Sequence, residues 1–365
     1  MTAPFAWHAT APVFVTADEN LVLGYDSADQ GPTWLTPAPS KVLQVVMSAD
    51  RVHALCEGGV ILELALKNGE KLSSQTVEGA RDIVLTSSGA LAIVTAQGVM
   101  FEATTLNVPD AVHAAFSGDG RQAVVVNGQG VLKLFELPGA TEVRSLAIDQ
   151  PAKATLAYWN PLGPCWLVIA GTHVKNVKAD LTGLDIFVSF ESPFGALAVE
   201  RTGRIVAARA GKSALVIGFP KRESISSLTY FEDKNPGGVG FGPGSWVGVA
   251  IGNGDANTVD MTQEGVCRSD PHPGRVRNRW MLSVSVKPAA YQQVLARPGA
   301  GGVAATSAPP PPSGWVGPSQ PAAPSAPPAS PASAAPNNTL KVVGIVIAAL
   351  VALCLACTIL GSFAK

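Results

Sequence analysis

Charge is scarce in this 365-residue chain. Only 15% of the residues are charged, and 26 basic side chains stand against 27 acidic ones, a formal net charge of -1. That balance excludes a strongly basic nucleic-acid binder and a strongly acidic chain. The five cysteines have no regular spacing, which excludes a small disulfide-stapled domain. The histidines His8, His53, His113, His173 and His272 are scattered, and none stands at metal-ligand spacing from a cysteine or another histidine. No P-loop, G-x-S-x-G elbow or H-E-x-x-H motif occurs, so nothing positive points to catalysis and no cofactor is expected. The opening stretch MTAPFAWHATAPVFV lacks a basic start and a long apolar run, so it does not read as a signal peptide. No segment carries the pattern of a long amphipathic helix. Apolar residues, by contrast, make up 47%, with 37 glycines and 29 prolines. Mean hydropathy is +0.25, above that of an ordinary soluble domain, which directs attention to a membrane segment.

That segment runs from Val342 to Ala364, VVGIVIAALVALCLACTILGSFA, without a charge and bracketed by Lys341 and Lys365. About twenty helical residues span a bilayer core, so a transmembrane helix over 342–364 is expected. One apolar span at the end of a chain without a signal peptide reads as a tail anchor, with the N-terminal domain in the cytosol. Gly344, Ala348, Ala352 and Ala356 recur every four residues, a spacing that lets two such helices approach and form a homodimer. Cys354 and Cys357 have redox-motif spacing, but inside this span they read as small packing residues. Residues 298–341 contain a Pro/Ala/Ser/Gly stretch too poor in large apolar side chains to form a core, and read as a disordered linker. Extended as polyproline II it would reach on the order of 100 Å. Trp315 is its one large side chain and a candidate docking anchor.

Residues 1–297 read as all-β. Short apolar runs alternate with Gly, Asp, Asn and Ser turn clusters, and the pattern repeats. Units begin near Lys41, Ala80, Ala111, Ala152, Pro193 and Pro236, at the spacing of about 40 residues, with one shorter unit, that marks propeller blades. The N-terminal stretch supplies a seventh unit. In the unit from Ala111 to Ile148, the run Ala123–Val126 is apolar on both faces, as a strand between neighbouring blades must be. The run Val131–Leu137 alternates, as a half-exposed outer strand does. Asp119-Gly120 and Asn68-Gly69 are hairpin turn signals. Seven blades are expected, with six as the alternative, and Trp280–Val286 is expected to pair with the N-terminal strands and close the ring.

The Ala111 unit resembles a WD40-type repeat. It carries Phe116-Ser117-x-Asp119-Gly120, an apolar strand, a glycine, and a strand ending in Phe135-Glu136 where that family usually has Trp-Asp. No unit here has the Trp-Asp pair or the opening Gly-His. The resemblance is thus to the WD40-like β-propeller superfamily, with degenerate repeats, and it implies a protein-interaction scaffold without chemistry of its own.

Candidate sites are few. Asn253, Asp255, Asn257 and Glu264 offer oxygen ligands at EF-hand-like positions, but Thr258 replaces the needed glycine and no helices flank the stretch. The alternative is an Asn-Gly-Asp hairpin turn. Arg268, Arg275, Arg277 and Arg279 crowd one loop-like stretch, a charge pattern suited to phosphate, acidic peptides or anionic headgroups. Cys56 and Cys165 fall in or beside apolar strands and read as buried thiols. The expected function is a membrane-tethered interaction scaffold with protein partners. Two alternatives stand beside it. One is a ligand sensor or enzyme with its site at the propeller's central opening. The other is the propeller of a bacterial ternary system with an AAA+ ATPase and a von Willebrand A protein.

Overall fold

A computed structural model describes residues 4–8, 10–26, 32–148, 153–230, 236–251, 256–262 and 281–297. Seven antiparallel sheets follow one another along the chain, and in each the strands lie in sequence order. These are the seven blades of a β-propeller. Their innermost strands are Phe5–Trp7, Val42–Met47, Ala80–Leu85, Ala111–Phe116, Ala154–Asn160, Phe194–Val199 and Pro236–Phe241, numbered here as blades 1 to 7. The last six begin within two residues of the repeat starts read from the sequence.

Turn chemistry sets the hairpins. At Asp119-Gly120, Asp119 Oδ1 accepts from the Ser117 hydroxyl at 2.6 Å and from the Arg121 N–H at 3.1 Å, while Gly120 takes φ 70°. The Ser117 hydrogen bond is the main reason the Asp119 carboxyl is held below the usual range. Second strands are buried on both faces: all six residues of Cys165–Ala170 are buried. Third strands, such as Val131–Glu136, alternate. The outermost strand of blade 4 is not that one but Thr141–Ala147, which with Lys71–Thr76 of blade 2 is almost wholly exposed.

Seven hydrophobic clusters fill the seven gaps between neighbouring blades. Trp166 and Leu134 pack in the gap between blades 4 and 5, and Phe187 and Phe219 between blades 5 and 6. The seventh cluster joins the ends of the ring: Phe5, Phe14 and Tyr25 of blade 1 meet Ala250 and Ala256 of blade 7. Glycines make this contact possible. A Cβ on Gly240 would lie 2.8 Å from Phe5, one on Gly242 2.3 Å from Trp7, and one on Gly248 2.5 Å from Phe5 and 2.6 Å from Trp7. Two aromatic rings of blade 1 therefore lie directly on the backbone of blade 7.

The closing strand differs from expectation. Met281–Val286 pairs with Glu223–Tyr230, in the register Ser226↔Val286 and Leu228↔Val284, and becomes a fifth strand of blade 6. Blade 7 has three strands among the described residues. Blade 1 keeps its own innermost strand, and no described strand pairing links it to blade 7. An alternating run such as MLSVSV fits any half-buried edge, and its partner is fixed only by tertiary packing. The strand leads into a helix, Pro288–Leu295, that starts on a proline and buries Tyr291 and Val294 against the cluster between blades 6 and 7. Arg204 donates to the Leu295 carbonyl at 2.7 Å, and Arg297 pairs with Glu223, so the helix is tied to blade 6.

The described residues all belong to one compact unit, Met1–Val303. No described helix is long and apolar enough to cross a membrane. The linker and the apolar run at 342–364 lie outside the described residues.

Both cysteines expected to be buried are buried. Burial pushes the Cys165 thiol up to about 12, with the charge of Asp185 adding to it, and burial raises that of Cys56. A thiol that keeps its proton in the folded state but loses it near about 8.5 when unfolded makes stability fall as pH rises between those values. In the native protein at pH 8, iodoacetamide is expected to leave Cys56 and Cys165 unlabelled, with both reacting only in denaturant. Peptide mapping by mass spectrometry checks this, and native labelling at either position would contradict it.

Candidate functional site

The seven innermost strands surround a central channel of about 600 Å³, a volume in the range of small-molecule sites. Apolar side chains from every blade line it, Ala6, Val45, Val84, Ala114, Leu156, Leu197 and Val239 in blade order. Beside Gln44, three polar features interrupt it.

The first is Asp82 of blade 3 with His113 of blade 4. Asp82 Oδ2 lies 2.5 Å from His113 Nδ1, and the pair is almost fully withdrawn from solvent. The other ring nitrogen, Nε2, donates to the Ala157 carbonyl of blade 5 at 3.0 Å. Asp82 Oδ1 accepts from the Ile83 N–H at 2.8 Å. Each ring nitrogen of the imidazole thus faces an oxygen acceptor. With both nitrogens engaged, the ring ties three consecutive blades together.

The second is Arg81 of blade 3, whose guanidinium pairs with Asp110 at 2.6 Å and donates to the Ala111 carbonyl at 3.2 Å. The third is Tyr158 of blade 5. The Tyr158 ring centroid is 5.7 Å from that of His113. Burial, with the Asp82 charge adding to it, holds the Tyr158 hydroxyl well above the usual tyrosine range. Burial also lowers the Arg209 guanidinium from its ordinary value.

A second cleft, of about 590 Å³, opens between blades 2 and 3 and is lined by Arg51, His53, Glu63 and Ser87. The Ser73 hydroxyl at 2.7 Å, then Arg51, lowers the Glu63 carboxyl, so this carboxylate is already engaged. Burial lowers His53.

Of the candidate site residues proposed from sequence, only Asn257 is described. It lies within the strand Ala256–Asp260, opposite Val249 and fully buried, not in a ligand loop. The strand pairing of blade 7 draws it out of the EF-hand-like pattern. Asn253, Asp255, Glu264, Arg268, Arg275, Arg277, Arg279, Trp315, Gly344, Ala348, Ala352 and Ala356 lie outside the described residues. Among the described residues no group of three His, Cys, Asp or Glu side chains could hold a metal ion. Asp82, Tyr158 and Arg209 were not singled out, and His113 was read only as one of five scattered histidines. The available signal was a charged or polar residue inside ARDIVL, AVHAAF and IVAARA.

No family model matches the chain, and no curated protein sequence matches it. Solved structures do. The β-propeller domain of Cps50 (Swd1) from Myceliophteria thermophila superposes with a TM-score of 0.58 at 13% identity, covering 70% of this chain and 95% of that one. A chain of the mitotic checkpoint complex gives a TM-score of 0.57 at 14% identity, covering 68% of this chain and 83% of that one. At this identity the likeness concerns the fold, a β-propeller, and the sheet topology gives it seven blades.

Proposed function

We propose that the chain is an interaction scaffold held at a membrane, a cytosolic propeller whose rim binds a protein partner. The observation that carries this reading is where apolar side chains reach solvent. Every large exposed hydrophobic residue among the described ones, Leu35, Leu72, Met100, Val143, Leu184 and Ile186, lies on the third or outermost strand of a blade. Leu184 and Ile186 share one face of the outermost strand of blade 5 and are 43% and 42% exposed. An edge strand with an apolar face and unpaired backbone groups suits a partner that adds a strand. The two solved propellers of similar fold, one of them in a multiprotein complex, support the same reading. The arginine-rich stretch Arg268, Arg275, Arg277 and Arg279 and the linker residue Trp315 supply further partner contacts.

The apolar run 342–364 supplies the membrane attachment and the linker the reach, which raises the effective concentration of a partner near the bilayer. Gly344, Ala348, Ala352 and Ala356 supply a face for pairing two such helices. The full-length chain is expected in the carbonate-resistant membrane fraction, and a chain ending at 341 in the supernatant. An unchanged distribution would remove the membrane part of the proposal. Affinity capture in mild detergent, followed by mass spectrometry, tests the scaffold part. A defined partner set is expected to survive removal of 342–365 and to be lost in Leu184→Asp/Ile186→Asp or in the fourfold Arg→Ala variant. A partner set insensitive to every surface variant would sink it.

A further inference from the structure

We propose that one end of blade 6 is a docking surface for an anionic bilayer, so that the propeller sets that end on the membrane to which the chain is attached. The premise is the membrane attachment proposed above. In an antiparallel meander the turn between the first and second strands and the turn between the third and fourth lie at the same end. In blade 6 these turns are residues 200–204 and 219–222, and the Phe219 N–H donates to the Arg204 carbonyl at 2.7 Å. The fifth strand runs antiparallel to the fourth, so Lys287 follows it at that end too, its N–H donating to the Ile225 carbonyl at 2.9 Å. The helix Pro288–Leu295 packs there as well: a Cβ on Gly218 would lie 2.8 Å from Val294. With Arg204 on the Leu295 carbonyl and Arg297 on Glu223, the chain leaves the propeller beside both turns.

Positive charge gathers at this end. Arg201, Arg204, Lys221, Arg222, Lys287 and Arg297 stand against Glu200 and Glu223. Arg297 neutralises Glu223, and Arg204 is spent on the helix. The other four cations are exposed. Of these only Arg222 has an ion-pair partner among the described residues, Asp185 of blade 5 at 3.5 Å, and both are exposed. Such a pair is weak. The corresponding turns of blade 4, 117–121 and 137–140, carry one Asp119 and one Arg121, and those of blade 5, 161–164 and 179–183, carry Asp180 alone. The excess is therefore local to blade 6, in a chain whose formal net charge is -1. Four exposed cations on neighbouring turns and a strand end complement an extended negative surface, and anionic headgroups attract each of them. The linker begins directly after Arg297, so attachment through 342–364 keeps a bilayer within reach of this end at high effective concentration.

Lysine footprinting of the full-length protein, reconstituted into phosphatidylcholine vesicles with and without phosphatidylglycerol, tests the surface. A neutral, water-soluble amine reagent is applied, and labelling is read by peptide mass spectrometry. With phosphatidylglycerol present, Lys221 and Lys287 are expected to label roughly threefold more slowly or less. Lys212, exposed at the opposite end of the same blade, is expected to label at an unchanged rate. Salt at about 0.5 M is expected to abolish the protection by screening. The variant Arg201→Gln/Lys221→Gln/Arg222→Gln, read at Lys287, is expected to abolish it too, and its three sites are exposed, so the fold is retained. Equal labelling of Lys221 and Lys287 in both vesicle types overturns the proposal, as does equal protection of Lys212. Protection by poly-glutamate and not by phosphatidylglycerol would assign the patch to an acidic protein and also overturns it. Flotation keeps the two readings apart. A chain that does not float with phosphatidylcholine vesicles contradicts the membrane attachment, and phosphatidylglycerol vesicles added to it still read the surface.

Discussion

Phe5→Ala is expected to destabilise the propeller by about 3–5 kcal/mol, the cost of emptying a buried aromatic site. For a domain of this size that corresponds to a fall in Tm of roughly 6–20 °C. The effect is large because of where Phe5 lies. Six blade interfaces join neighbours that the chain connects directly, whereas the seventh joins the first blade to the last. There the rings of Phe5 and Trp7, in edge-to-face contact with centroids 6.1 Å apart, rest on the glycine backbone of blade 7. No described strand exchange shares the load. Losing the ring frees both ends of the propeller at once. Gly248→Leu attacks the same contact from the other side and is expected to destabilise comparably, since its Cβ alone meets both rings at 2.5 and 2.6 Å. Thermal unfolding followed by circular dichroism reads both. A Tm within about 2 °C of the parent for Phe5→Ala would show that the ring end is held elsewhere.

Asp82→Ala is expected to cost about 3–5 kcal/mol, the range for breaking one partner out of a buried charged pair. The substitution leaves His113 Nδ1 facing an empty, water-poor site and orphans the Ile83 N–H, which now donates to Asp82 Oδ1 at 2.8 Å. His113→Phe keeps much of the volume but strands the Asp82 carboxylate and the Ala157 carbonyl. The double variant Asp82→Ala/His113→Phe is expected to recover part of the loss, because neither buried charge then lacks its partner. Urea unfolding of the four proteins measures the coupling. Additive losses would mean that the two side chains do not act as a pair.

The propeller was legible because its physics is local. A doubly buried strand such as Ala123–Val126 announces itself as an unbroken apolar run, and Asp119-Gly120 announces the turn before it. What escaped was whatever local sequence does not encode. Lys71–Thr76 is exposed on every residue, so it has neither an apolar run nor an alternation to mark it as a strand. The helix Pro288–Leu295 spends only Tyr291 and Val294 on the core, too little to show a helical period. Met281–Val286 read as a strand correctly, but its alternation suited blade 6 as well as blade 1, and only packing chose between them. The channel residues escaped for a related reason. Asp82 and His113 are 31 positions apart, and neither strand by itself shows that they meet. Arg209 Nη2 occupies the space in which a side chain at position 195 would begin, a link that no spacing rule connects.

A closed ring gives the module both a rigid rim and an enclosed channel, so closure is the claim on which the rest depends. A double-mutant cycle between Phe5→Ala and Gly240→Ala tests it most directly. In the parent, the new Cβ at position 240 meets the Phe5 ring at 2.8 Å, whereas its next neighbour in the other aromatic residue, Trp7 Cβ, is at 3.7 Å, ordinary contact. Gly240→Ala is therefore expected to destabilise the parent clearly and the Phe5→Ala protein much less, with a coupling of about 0.5–3 kcal/mol. Losses that add within about 0.3–0.5 kcal/mol would mean that the two positions do not touch, and would contradict a ring closed by blade 1 lying on blade 7.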